Sequence, residues 1–150
     1  MRKGRRMDAI PPLTRPEDMP PIRSQTDLHR MWRSLMGPLG FGGRSLWIAV
    51  LDEHGRPTPR LLQVDEMPPR PDPEIQRGLV TVVSSVVENA GQVAFLLSRP
   101  GEDGLTDEDR AWATMLQDVE RQAGAPVWPV HMANDRALVV IAPDDLAASA

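Results

Sequence analysis

The sequence predicts an α/β (α+β) domain in which a mixed sheet is flanked by helices, in the order α-β-β-α-β-α-β-β. Three observations lead there. Short apolar runs alternate with longer stretches whose apolar residues recur every three to four positions. Each longer stretch opens on a capping residue and closes on Gly. The chain has 150 residues, of which 41% are hydrophobic and 25% charged. That suffices for one domain with its own core.

Residues 1–23 are expected to form a disordered, basic and Pro-rich leader. Arg2, Lys3, Arg5 and Arg6 open it, and Pro11, Pro12, Pro16, Pro20 and Pro21 withhold backbone donors. It lacks the apolar h-region of a secretory signal. A single domain is placed at 24–143. Ser24 caps its first helix, Asp27 follows in the first turn, and Leu28, Met31, Trp32, Leu35 and Met36 make the apolar stripe before Gly37 and Pro38 stop it. Ser45 to Leu51 is a short apolar run of the buried-strand type, and Asp52-Glu53-His54-Gly55 is a turn. Residues 60–65 return as the second strand, Pro57 and Pro59 restricting pairing ahead of them.

Asp72-Pro73-Glu74 opens the second helix with a cap, a proline at the first helical position and an acid. Ile75, Leu79, Val82, Val83, Val86, Val87 and Ala90 keep the helical period, and Gly91 is the expected left-handed terminator. Gln92 to Ser98 is a third strand, followed by a Gly-containing loop to Leu105. Thr106 caps a third helix whose first turn is Asp107-Glu108-Asp109 and whose end is Gly124. Two last strands are expected at 126–132 and 136–142, joined by Ala133-Asn134-Asp135, with a flexible tail at 144–150.

Composition excludes several functions. The formal charge of −4 disfavours nucleic acid as a general partner. The absence of cysteine removes disulfides, thiolate catalysis and sulfur-ligated metals. No apolar run approaches the ~20 residues of a membrane span. Sixteen of the seventeen basic residues are arginine, a bias of GC-rich bacterial genomes, and the cytoplasm is the expected location.

From about 23 to 142 the chain resembles the JAB/MPN metallo-isopeptidase fold, most closely its RadC-like branch. The resemblance runs through Ile22-Arg-Ser-Gln-Thr-Asp-Leu-His29, Leu46-Trp-Ile-Ala-Val-Leu-Asp-Glu-His-Gly-Arg56, the helix from Asp72 to Gly91, and Val93-Ala-Phe-Leu-Leu-Ser-Arg-Pro-Gly101 followed by Thr106-Asp-Glu-Asp109. It implies a zinc held by His-x-His at the strand end and by an Asp at the next helix. It further implies a Ser at that helix start supporting the oxyanion and an upstream Glu acting on the metal-bound water. The corresponding residues are Leu97, Ser98, Arg99 and Pro100, then Thr106 and Asp109. Proline and aspartate remain and Thr106 stands for the Ser, but Leu97 and Arg99 replace both histidines. Glu66 and Glu74 are the candidates for the upstream Glu.

Leucine has no donor atom, and arginine is a permanent cation that repels a metal. No catalytic residue, metal or cofactor is therefore expected. Arg99 is instead expected to pair with Asp109 and so take over the ion's structural role. The resemblance then implies a non-catalytic, regulatory or interaction module with an unidentified protein or peptide partner; homo-oligomerisation is left open. Two alternatives follow from other residues. One is a hydrolase with a shifted site, for instance a metal held by His131 with Asp109. The other is a nucleic-acid-associated accessory protein using the basic leader. His29 and His54 fall in no ligand spacing. The acids Glu102, Asp103, Asp107, Glu108 and Asp109 lack the alternating order of a calcium loop.

Overall fold

The computed structural model describes residues 18–142. Eight elements run in the expected order: α1 (Gln25–Met36), β1 (Ser45–Leu51), β2 (Pro57–Val64), α2 (Pro73–Glu88), β3 (Gln92–Ser98), α3 (Asp107–Gln122), β4 (His131–Ala133) and β5 (Leu138–Val140). The strands form one mixed sheet in the order β2-β1-β3-β4-β5. All neighbours are antiparallel except β3 and β4, which are parallel because α3 crosses between them.

Alternation along the strands sends side chains to two cores. Leu46, Ile48, Phe95, Leu97 and Met132 pack beneath α2 and α3, against Val83, Trp112 and Leu116. Ala49, Leu51, Ala94 and Leu96 face the other way, against Leu28, Met31 and Trp32 of α1. Central strand β3 is covered on both faces, which is why its sequence reads as a continuous apolar run.

All three helix starts behave as their sequences dictate. Ser24 Oγ accepts from Asp27 N, Asp72 Oδ1 from Ile75 N and Thr106 Oγ1 from Asp109 N. The end of α2 differs from expectation. Ala90, not Gly91, takes the left-handed backbone, at φ 63°. Gly91 serves close approach instead: a Cβ there would lie 2.7 Å from Val86 Cγ1 and 3.1 Å from the Leu51 carbonyl oxygen.

The other corrections concern boundaries. Residues 1–17 of the expected leader and 143–150 of the expected tail region lie outside the described residues. Of the leader's remainder, Met19 and Ile22 are buried, and the Ile22 amide donates to the Gly55 carbonyl at 2.8 Å, so the packed chain begins before Ser24. Strand β2 starts at Pro57 rather than 60, because it lies at the sheet edge, where prolines are tolerated. Strands β4 and β5 are shorter than expected, three residues each. Pro126 and Pro129 delay the first, and Asn134 Oδ1 accepts from the amides of Arg136 and Ala137 to fix the turn before the second.

Candidate functional site

Strand β3 and the start of α3 converge at one end of the sheet. Leu97 points beneath α2 and α3 and is buried in that core. Ser98 points to the opposite face, where its Oγ accepts from Trp47 Nε1 at 2.9 Å. Arg99 follows just past the strand; its amide donates to the Ala133 carbonyl at 3.0 Å and its side chain turns towards α3. Leu97 and Arg99 therefore share a face and Ser98 does not. Pro100 leads into the exposed loop.

Thr106 and Asp109 form a reciprocal cap. Thr106 Oγ1 accepts from Asp109 N at 3.2 Å, and Asp109 Oδ2 accepts from Thr106 N at 3.0 Å. That second bond turns the Asp109 carboxylate back towards the strand end. There the Arg99 guanidinium meets it side-on. Nε donates to Oδ1 at 3.0 Å and to Oδ2 at 3.2 Å, and Nη2 donates to Oδ2 at 2.8 Å. Nη2 also donates to the carbonyls of Gly104 and Asp103, at 2.8 and 3.2 Å, so the pair staples the intervening loop. Arg99 is 6% exposed and Asp109 is fully buried. The expected pair is thus formed, as a multiply bonded one.

Its electrostatics follow from these contacts. Burial alone would raise the Asp109 pKa, but the Arg99 guanidinium and the Thr106 donors outweigh it and hold the carboxyl below its ordinary range. The hydrogen bonds from Arg99 to Asp109 in turn raise the Arg99 pKa. Arg44, just ahead of β1, adds a second cation 3.8 Å from Asp109 Oδ1.

A zinc ion does not fit this arrangement. Of the positions where the resemblance implies ligands, Leu97 is apolar, Arg99 is cationic, and both oxygens of Asp109 are already engaged. Among the described residues no group of three or more His, Asp or Glu is arranged to hold a metal. The shifted site is not assembled either. His131 is fully buried on the α1 side of the sheet, its ring 5.5 Å from that of His29, whereas Asp109 lies on the α3 side. His54 is exposed in the β1–β2 turn, and so are Glu66 and Glu74 at their own positions.

Two groups of residues were not legible as parts of this region. Arg44 carries no local signal, since only the sheet brings β1 beside β3. Asn134 and Asp135 read simply as turn formers. In the fold Asn134 Nδ2 donates to the Asp103 carbonyl, and Asp135 accepts from the amides of Gly101 and Phe41, tying three loops together. Glu120 is a further surprise, on the buried side of α3. Its Oε2 accepts from Trp128 N at 3.0 Å while Oε1 has no partner, and burial pushes its pKa up to about 8. No protein-family model matches the chain, and no curated protein matches it either.

Proposed function

We propose that this chain is a non-catalytic domain of JAB/RadC-like ancestry that acts by binding a protein or peptide partner in the bacterial cytoplasm. One observation supports it above all: the Arg99 guanidinium bonds both oxygens of Asp109 at the junction where the resemblance implies an exchangeable ion. A zinc ion would acidify a water and polarise a carbonyl through an open coordination position. A guanidinium has no such position, keeps its proton throughout the working pH range and is covalently part of the chain. What the pair retains is the architectural role, fastening the end of β3 to the start of α3. The domain is then a rigid scaffold whose surfaces, and not a metal-bound water, carry the function.

Metal analysis of the purified protein, run beside peptide and isopeptide hydrolysis assays, tests this. The expected outcome is zinc far below one per chain and no hydrolysis. The double variant Leu97→His/Arg99→His is expected to take up zinc in a manner that Asp109→Ala abolishes. Stoichiometric zinc in the unaltered protein, lost in Asp109→Ala, would overturn the proposal, as would hydrolysis stopped by a chelator.

A further inference from the structure

We propose that the free edge of β2 is an interface between two copies of this chain, joined antiparallel to continue the sheet across a two-fold axis. This gives the partner proposed above a first identity. It rests on the chain being a binding module but not on the loss of zinc chemistry, so the two can fail separately.

The sheet order leaves β2 at an edge. The orientation of its backbone follows from its neighbour. Thr58 Oγ1 donates to the Val50 carbonyl and Asp52 N donates to the Arg56 carbonyl, so even-numbered positions of β1 point at β2. Alternation carries this to Ile48 and Leu46, whose register partners are Leu62 and Val64. Leu62 and Val64 therefore spend their amides on β1, and Leu61 and Gln63 turn theirs to the open edge. Pro57 and Pro59 have no amide hydrogen to offer, and the β1–β2 register shifts beside them, so the usable stretch ends on that side.

The side chains along this stretch are self-complementary. Leu62 and Val64 share one face and are 38% and 41% exposed, two of the four exposed large hydrophobic residues among those described. Val82 is a third. It lies on α2 one turn before Val86, which lines a groove with Thr58, Pro59 and Arg60 of β2. Arg60, in the stretch where the β1–β2 register shifts, precedes Leu62 and Val64, and Glu66, in a left-handed turn two residues past the strand end, follows them; both are exposed, and neither side chain forms an ion pair among the described residues. Antiparallel pairing centred on Gln63 sets Leu62 opposite the partner's Val64 and Val64 opposite the partner's Leu62. It also places Arg60 at the end of the seam where the partner's Glu66 lies, twice by symmetry. Gln63 then meets the partner's Gln63 with both backbones turned to the open edge; a register centred on Leu62 would pair Leu61 with Gln63 and suit the backbone equally, so the charges decide between the two. Moving the centre to Leu62 would bring Arg60 against the partner's Val64 and leave Glu66 without a counter-charge.

Sedimentation velocity over a wide concentration range tests the proposal, with circular dichroism as a control for folding. The unaltered protein is expected to show a reversible, concentration-dependent dimer, modest in affinity because the paired stretch is short. Arg60→Glu, an exposed change, should weaken it roughly tenfold by losing two ion pairs and creating two repulsions, and Arg60→Glu/Glu66→Arg should recover it. Leu62→Lys should abolish it. Because the chain has no cysteine, Gln63→Cys gives a clean register probe. Opposed backbones ~5.5 Å apart suit a disulfide, so mild oxidation should cross-link it, and Glu53→Cys in the nearby turn should not cross-link. A protein that stays monomeric at every concentration overturns the proposal, whether or not its edge captures an extended peptide. A dimer indifferent to both Arg60→Glu and Leu62→Lys does so too.

Discussion

Replacing Asp109 by Asn should destabilise the protein far more than one isosteric change at a helix start ordinarily does. Asparagine can still accept from the Thr106 amide, so the cap survives and the loss isolates the charge. Arg99 is then a nearly buried cation that cannot shed its proton. Breaking one partner out of a buried ion pair costs about 3–5 kcal/mol. The carbonyls of Gly104, Asp103 and Pro100 continue to accept from Arg99, which puts the expectation at the lower end, about 3 kcal/mol. For a domain stable by ~5–15 kcal/mol that is a large share, and with m near 2 kcal/mol/M the urea midpoint falls by about 1.5 M. Buried Trp112 supplies the fluorescence signal. The reverse single change, Arg99→Met, should cost less, because Asp109 can take up a proton and become neutral. Arg99→Met/Asp109→Asn should recover much of the loss, giving a coupling of about 2 kcal/mol. The sign with pH follows from the depressed Asp109 pKa. The pair's contribution is fully present above the ordinary Asp range and is lost as pH falls through the folded value. A loss below about 1 kcal/mol for Asp109→Asn, or single effects that add to within about 0.5 kcal/mol, would refute the reasoning.

Two further outcomes are expected. Glu120 goes from an ordinary 4.5 to about 8 on folding, so its contribution is complete below pH 4.5 and lost as pH rises to about 8. His131, pushed down to about 4 by burial and by His29, contributes above pH 6.5 and is lost below, which leaves the interval from pH 6.5 upwards to Glu120. Denaturant titrations there should show about 2 kcal/mol lost between pH 6.5 and 8 in the unaltered protein and a flat profile in Glu120→Gln; parallel slopes would rule this out. At the end of α2, Ala90→Gly should raise stability by about 1 kcal/mol by relieving a left-handed alanine. Gly91→Ala should lower it by crowding Val86 and Leu51, and thermal melts that rank the two in the other order would contradict the assignment.

The residues that spoke clearly in sequence are those whose partners lie nearby along the chain. Ser24, Asp72 and Thr106 announce their helices because a cap contacts an amide three residues on. The Arg99–Asp109 pair was expected only through the resemblance, which implies metal ligands at both positions, ten residues apart across one loop. Local signals failed where a distant neighbour decides. Nothing around Pro57 says that its strand will lie at an edge, where a missing amide is harmless. Nothing local to Glu120 shows that the 126–128 segment folds back over it and that Trp128 offers its amide. Arg44 gains its meaning only from the pairing of β1 with β3, more than forty residues later in the chain.

The position of β3 at the middle of the sheet also orders how the molecule comes together. Its antiparallel neighbour β1 is synthesised well before it, and its parallel neighbour β4 only after α3. The β1–β2 hairpin therefore emerges from the ribosome with α1 already made to cover one of its surfaces, while the surface that carries Leu46 and Ile48 must wait for α2 and α3. Such long-range closure slows assembly and prolongs the interval in which a nascent chain is open to aggregation or chaperone capture. Changes that weaken β1 or β2 should therefore show themselves in the yield of soluble protein before they show themselves in the melting of what has already folded.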